Sequence, residues 1–357
     1  MKNTNTLSLG EELPSILQRW PEASGESVLL HLLTTEYGCN IEHLTKGSSS
    51  KRFFRLRRRN HSTVILGLIN TTGPASDEVF APEYQLPLTP AQVYIQAAAD
   101  LQQVLGSVPH LFASDPLRGV AILEDAGDTN LYSYVQQGAP NSTVVAIYES
   151  LLAWDAALPA NLATLPSSSL PYIRTFDERA LRLELHEFAA CSLTHLLSPL
   201  RRRDLENLFN RLAAEVAAMP TRPIHRDFQS KNIMLLTPLR FLVIDSQDMC
   251  IGPYLYDVAS LVFDPYITLD DQDRCRLIRS AAHSGSDRPT FRRDLALLAV
   301  HRCLKAAGRF ATLATRGITS HVPFIAHAVT AAISELRSMS EYSPLAELLE
   351  TCKVPKD

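Results

Sequence analysis

IHRDFQSKNIMLLTPLRFLVIDSQD, residues Ile224 to Asp248, decides how the chain is read. His225-Arg226-Asp227 is followed by Asn232, five residues after the aspartate, and by Asp245, thirteen residues beyond Asn232. Two apolar runs, Ile233 to Leu236 and Phe241 to Ile244, flank Thr237-Pro238. Short apolar runs separated by a turn dipeptide predict strand, turn, strand. The hairpin is expected to bring Asp227 and Asn232, at its entrance, close to Asp245 at its exit.

Carboxylate and amide oxygens are the donors a hard cation such as Mg²⁺ prefers. Phosphoryl transfer also needs a carboxylate to orient the attacking hydroxyl and accept its proton. In that division of labour Asp227 is the base, while Asn232 and Asp245 hold the metal. The spacing H-R-D-x-x-x-x-N matches the catalytic loop of kinases. Turn and cap roles are the plain alternative for Asp227 and Asn232. Five matching positions at two spacings, on the expected hairpin, weigh against it.

Composition fits an enzyme of two lobes. A chain of 357 residues exceeds one average core. Hydrophobic residues make up 46%, and a formal charge of -4 gives no electrostatic case for nucleic acid. Cys39, Cys191, Cys250, Cys275, Cys303 and Cys352 are scattered without a C-x-x-C pair. Reduced thiols in a cytoplasm are expected, rather than a disulfide frame or zinc site. The N-terminal MKNTNTLSLGEELP lacks an apolar signal core, and no apolar run reaches membrane-spanning length, so no membrane partner is expected.

Outward from the hairpin, an α+β, bilobal, protein-kinase-like fold is expected: a small β-rich lobe over residues 1–124 and a mostly helical lobe over 125–357. Helical periodicity runs from Leu13 to Leu33. Phe53 to Leu56 and Thr63 to Ile69 read as strands around a basic turn, and Gln92 to Leu105 as a helix. Gly119 to Leu123 reads as a strand ending at Glu124-Asp125-Ala126-Gly127. As the strand between lobes, Leu123-Glu124-Asp125 would offer backbone groups to adenine; the same residues also suit an ordinary loop. Helices are expected over Val144–Leu158, Asp177–Phe188, Arg201–Met219, Tyr254–Val262, Asp294–Leu313 and Val322–Leu336.

GSSSKRFFRL (Gly47 to Leu56), ILEDAG (Ile122 to Gly127), IHRDFQSKNIML (Ile224 to Leu235) and IDSQDMCIGPYLYDVASLVFD (Ile244 to Asp264) together resemble the aminoglycoside phosphotransferase-like kinases. The resemblance is greatest to the bacterial N-acetylmuramate/N-acetylglucosamine 1-phosphate kinases, and it runs from about Gly47 to Leu336. It implies ATP and Mg²⁺ as cofactors, Asp227 as general base, and Asn232 and Asp245 as metal ligands. Asp248 would assist a metal or bind sugar, and Asp257 would brace the catalytic loop. Ser246 replaces the family's usual aromatic residue. Strand Val64-Ile65-Leu66-Gly67 lacks the lysine that many kinases direct at the phosphates, a feature shared with the amino-sugar branch. Phosphate charge then falls to the backbone of Gly47, Ser48, Ser49 and Ser50 as an anion nest, with Lys51, Arg52 or Arg55. A solvated strand face is the alternative for these basic residues.

For the acceptor, Arg302, Lys305 and Arg309 share one helix face at spacings of three and four. They would meet a carboxylate, sugar oxygens or the transferred phosphate, or else form a solvated stripe. Glu184 and Glu187, near Arg182, are candidates for sugar hydroxyls, with surface placement as the alternative. Three functions compete: an amino-sugar kinase of peptidoglycan recycling, acting as monomer or homodimer on a small-molecule sugar; a kinase of another small alcohol, such as an aminoglycoside or choline; and a nucleotide-binding pseudokinase. Intact Asp227, Asn232 and Asp245 speak against the third.

Overall fold

The computed structural model describes residues 14–20, 26–44, 51–57, 62–72, 88–169, 174–192, 197–285 and 289–351. Gly47, Ser48, Ser49 and Ser50, expected to cradle phosphate, lie outside them, as do Arg58 and Arg59. The described residues fall into two compact units. One contains those up to Asp128 together with Leu242–Gln247; the other contains the remainder from Thr129.

The first unit is built on a five-stranded antiparallel sheet in the order β1-β2-β3-β5-β4. Its strands are β1 (Asn40–Leu44), β2 (Arg52–Arg57), β3 (Thr63–Leu68), β4 (Leu111–Asp115) and β5 (Val120–Glu124). Period-two alternation sorts the side chains. Phe54, Leu56, Val64, Leu66, Val120 and Ile122 face one core, with Ile16 and Leu17 of α1 (Pro14–Arg19), Trp20 just after it, and Leu29 and Leu33 of α2 (Glu26–Thr35). Phe53, Ile65, Ala121 and Leu123 face another, with Ala91 and Ile95 of α3 (Pro90–Val104). Burial on both faces explains why Val64 to Ile69 is continuously apolar in sequence. Helix α3 starts at a capping box, Thr89 with Gln92, and has Pro90 in its first turn.

Within the stretch expected to be helical from Leu13 to Leu33, the described residues form the two helices α1 and α2. Strands β1 and β4 were not anticipated: both lie at the edges of the sheet, and neither carries a fully buried side chain. An edge strand needs no apolar alternation to pair.

The second unit is mostly helical: α4 (Leu131–Gln136), α5 (Asn141–Leu162), α6 (Glu178–Ser192), α7 (Pro199–Ala217), α8 (Tyr256–Val262), α9 (Asp271–Gly285), α10 (Phe291–Thr315), α11 (Pro323–Arg337) and α12 (Ser343–Thr351). Most expected helices shift by only a few residues; α4, the polar α9 and α12 were not anticipated. Helix α10 is flanked by α6 and α11. At Gly308 a Cβ would lie 2.7 Å from the backbone N and Cα of Phe188. Only glycine lets α10 approach α6 so closely. Strand β6 (Thr221–Ile224) pairs antiparallel with β9 (Cys250–Pro253), Ile224 opposite Cys250. The predicted hairpin is present as β7 (Ile233–Thr237) and β8 (Arg240–Val243).

Candidate active site

Between β6 and β7 the chain makes a tight polar loop whose backbone is held by buried side chains. Arg226 has φ 73°, in the left-handed region that a bulky residue rarely enters. Strain of this kind persists only where the surroundings over-determine it. Here the N–H groups of His225 and Arg226 both donate to the Asp257 carboxyl, the latter at 2.9 Å. The Arg226 guanidinium donates to Glu184 Oε1 at 2.8 Å and stacks over Phe176. Further along, Ser230 N donates to Asp264 Oδ2 at 2.7 Å. Asp257 and Ser260 lie three apart on α8, and Asp264 follows just beyond its C-terminal end, so this helix and the turn after it serve the loop. Burial and then the nearby Asp155 carboxyl push Asp257 up, to about 7, against Arg222 and the two N–H donors.

The loop presents Asp227 to two cations of α10. Lys305 Nζ donates to Asp227 Oδ1 at 3.0 Å, and Arg302 Nη2 lies 3.4 Å from the same oxygen. Arg302 is fixed in turn: Nε donates to Ser260 Oγ at 2.8 Å and Nη2 to Gln229 Oε1 at 2.9 Å. Burial alone would raise the Asp227 carboxyl, but Lys305, then Arg302 and Arg226, outweigh it and hold the group far below the usual carboxylate range. Asp227 is therefore ionised throughout the neutral range. Behind Lys305, at 3.5 Å, sits Glu184. Burial opposes its charge too, yet Lys305 and Arg226 keep its pKa low.

The expected basic stripe thus divides. Arg302 and Lys305 are largely buried against Asp227, while Arg309 is half exposed and stands 4.0 Å from Glu187. Glu187 also accepts from Thr312 Oγ1 at 2.8 Å. Surface placement is wrong for Glu184, which is 3% exposed. Its partners lie on other elements, beyond the reach of helix periodicity. Asp248 lies 3.6 Å from Arg174, a fully buried residue that sequence reading passed over. Asn232 Nδ2 donates to the Asp227 carbonyl at 2.9 Å, leaving its amide oxygen without a hydrogen bond among the described residues.

In the first unit Asp245 also has positive φ, 67°, which a short polar residue tolerates. Lys51 Nζ donates to Asp245 Oδ1 at 3.1 Å and stands 5.1 Å from the Tyr94 ring centroid. Arg55 is a correction. It is 3% exposed; Nε and Nη2 clamp Asp125 at 2.7 and 3.0 Å, and Nη1 reaches Asp128 at 2.6 Å. An arginine so committed braces the turn after β5 and is not available to phosphate. Leu123 is buried within β5, and the Glu124 N–H donates to the His110 carbonyl at 2.8 Å. That N–H is therefore not the adenine donor.

Asn232, in the second unit, offers an amide oxygen, and Asp245, in the first, a carboxylate; each is a donor type that suits Mg²⁺. No group of three or more His, Cys, Asp or Glu among the described residues could hold an ion. The unanticipated members of the site are Arg174, Arg226, Gln229, Ser260 and Asp264. Only the α8 face carried a sequence signal: polar residues at helical spacing in an otherwise apolar segment.

The chain is 29% identical to an N-acetylmuramate/N-acetylglucosamine kinase from Neisseria meningitidis, over 68% of this chain and 75% of that protein. It is 26% identical to the enzyme of the same name from Pseudomonas aeruginosa, over 75% of each. Among solved structures, a choline kinase from Streptococcus pneumoniae superposes with a TM-score of 0.57 at 12% identity, covering 87% of this chain and 99% of that one; this shows a shared protein-kinase-like fold. The model of the phosphotransferase enzyme family matches residues 47–295, most of the chain. With Asp227, its two cations and its braced loop in place, the chain belongs to that family and is a phosphotransferase with an alcohol group as acceptor.

Proposed function

We propose that this phosphotransferase uses ATP and Mg²⁺ to phosphorylate the anomeric hydroxyl of amino sugars of the N-acetylmuramate/N-acetylglucosamine type, in cytoplasmic peptidoglycan recycling. What carries the substrate class is the match to two kinases of that name over most of the chain. The chemistry rests on Asp227, held ionised beside Lys305 and Arg302.

Asp227 would accept a hydrogen bond from the acceptor hydroxyl and aim its oxygen at the γ-phosphorus. So weak a base fits a loose transition state, in which the proton leaves late and orientation matters most. Lys305 and Arg302 would stabilise negative charge on the arriving phosphoryl group with little reorganisation, because Ser260, Gln229 and Glu184 already hold them. Mg²⁺, held by Asn232 and Asp245, would neutralise the triphosphate. Lys51, beside Asp245, would supply the cation that β3 lacks. Arg226, Arg302 and Lys305 around the base disfavour a polycationic aminoglycoside.

The test is turnover with ATP and Mg²⁺ against N-acetylmuramate, N-acetylglucosamine, choline and kanamycin. Turnover with the amino sugars is expected, reduced by about 10²–10⁴-fold in Asp227→Ala. Turnover confined to choline or kanamycin would overturn the assignment.

A further inference from the structure

Lys231 is the one residue of the Asp227–Asn232 loop whose chemistry the mechanism leaves unused. Its ammonium lies 4.0 Å from the ring centroid of Tyr266, 5.2 Å from Tyr132 and 5.3 Å from Phe324. The three rings touch one another: Tyr266 and Phe324 at 4.8 Å, edge to face, and Tyr132 at 5.8 Å from each. Among the described residues no hydrogen bond or salt bridge engages the ammonium. Burial among the rings lowers the Lys231 pKa, and the charge of Asp264, which braces the loop through Ser230, works against that. Three ring faces around one cation are the arrangement that recognises quaternary ammonium groups. Here the protein's own side chain fills it.

The cage is tied to the catalytic loop: Lys231 is four residues after Asp227, and Asp264 accepts from Tyr266 N at 3.0 Å and from Ser230 N at 2.7 Å. Lys231, Tyr132 and Phe324 are each part-exposed, so the cage opens toward solvent. We infer that Lys231 is a specificity-determining residue: its ammonium occupies the cage of Tyr132, Tyr266 and Phe324 beside Asp227 and denies that cage to cationic acceptors. This rests on the amino-sugar reading, for which exclusion of a free cation is an advantage.

Binding of tetramethylammonium, without ATP or sugar, tests the cage separately from turnover. Titration calorimetry on the full chain should show Lys231→Ala and Lys231→Met binding tetramethylammonium about tenfold more tightly than the natural protein. Lys231→Arg, which restores a cation, should not. The neutral isostere tert-butanol should gain less than tetramethylammonium. Equal gains for the two would show an ordinary apolar hole and overturn the inference, as would no gain at all. Should both uncharged variants fail to fold, the natural protein still decides. Ring currents should move the Lys231 ε-methylene protons upfield in its NMR spectrum, and a random-coil position would overturn the inference. Failure on these counts leaves N-acetylmuramate turnover untouched, so the two readings fall separately.

Discussion

Asp227 is the residue around which the others are arranged, and its charge is set by neighbours far away in sequence. Burial raises its carboxyl while Lys305, Arg302 and Arg226 lower it, and the cations win. Because the folded value is depressed, the ionised form contributes stability at any pH above the unfolded value, about 3.9. That contribution is lost only as pH falls through the folded value. Asp227 should therefore add no acid limb to the kcat/KM profile of the natural enzyme near neutrality. Lys305→Met removes the nearest cation but not the burial, so the pKa moves up. The profile should gain an acid limb at higher pH, and Lys305→Arg should return it toward the natural one. Superimposable profiles for Lys305→Met and the natural enzyme would show that Lys305 does not set this charge. Sequence spacing singled out Asp227, Asn232 and Asp245 for the chemistry proposed above, and placed Arg302 and Lys305 on one helix face. It did not show Glu184 buried beneath Lys305 or Arg55 locked to Asp125, because both facts depend on which elements pack together.

Elements hold these residues in place through a few close approaches. Gly308, three residues after Lys305, lets α10 lie against the α6 backbone, and Glu184 and Phe188 stand one turn apart on α6. A Cβ there meets backbone atoms that no side-chain rotation can clear. Gly308→Ala should therefore cost about 1–3 kcal/mol of stability and lower kcat, since the helices must part where Lys305 meets Glu184. Urea denaturation with parallel kinetics would check this; an unchanged midpoint and unchanged kcat would contradict it. The β7–β8 hairpin and most helices were legible from apolar period and turn residues. The edge strands β1 and β4 were not, because neither carries a clear apolar alternation; α9 was missed although Leu277, Ile278 and Ala281 stand at helical spacing in its polar sequence. The brace along α8 lay between these cases: Asp257 was expected from a family resemblance, whereas Ser260 and Asp264 needed the fold to show what they hold.

For the whole molecule, the α+β class was readable from one hairpin and the change of texture after Gly127. Strands packed on both faces precede that point, and amphipathic helices dominate after it. Substrate choice was less legible, since the hairpin speaks to how phosphate moves, whereas the side chains proposed to select the acceptor are gathered from α6, α10 and the loop around Lys231. The central claim is transfer from ATP to an amino-sugar anomeric hydroxyl oriented by Asp227. Phosphorus NMR of a reaction with ATP, Mg²⁺ and N-acetylmuramate tests it most directly. A sugar phosphate resonance coupled to the anomeric proton should appear with the natural enzyme and be nearly absent with Asp227→Asn. Phosphate on another hydroxyl, or equal product from Asp227→Asn, would contradict the account.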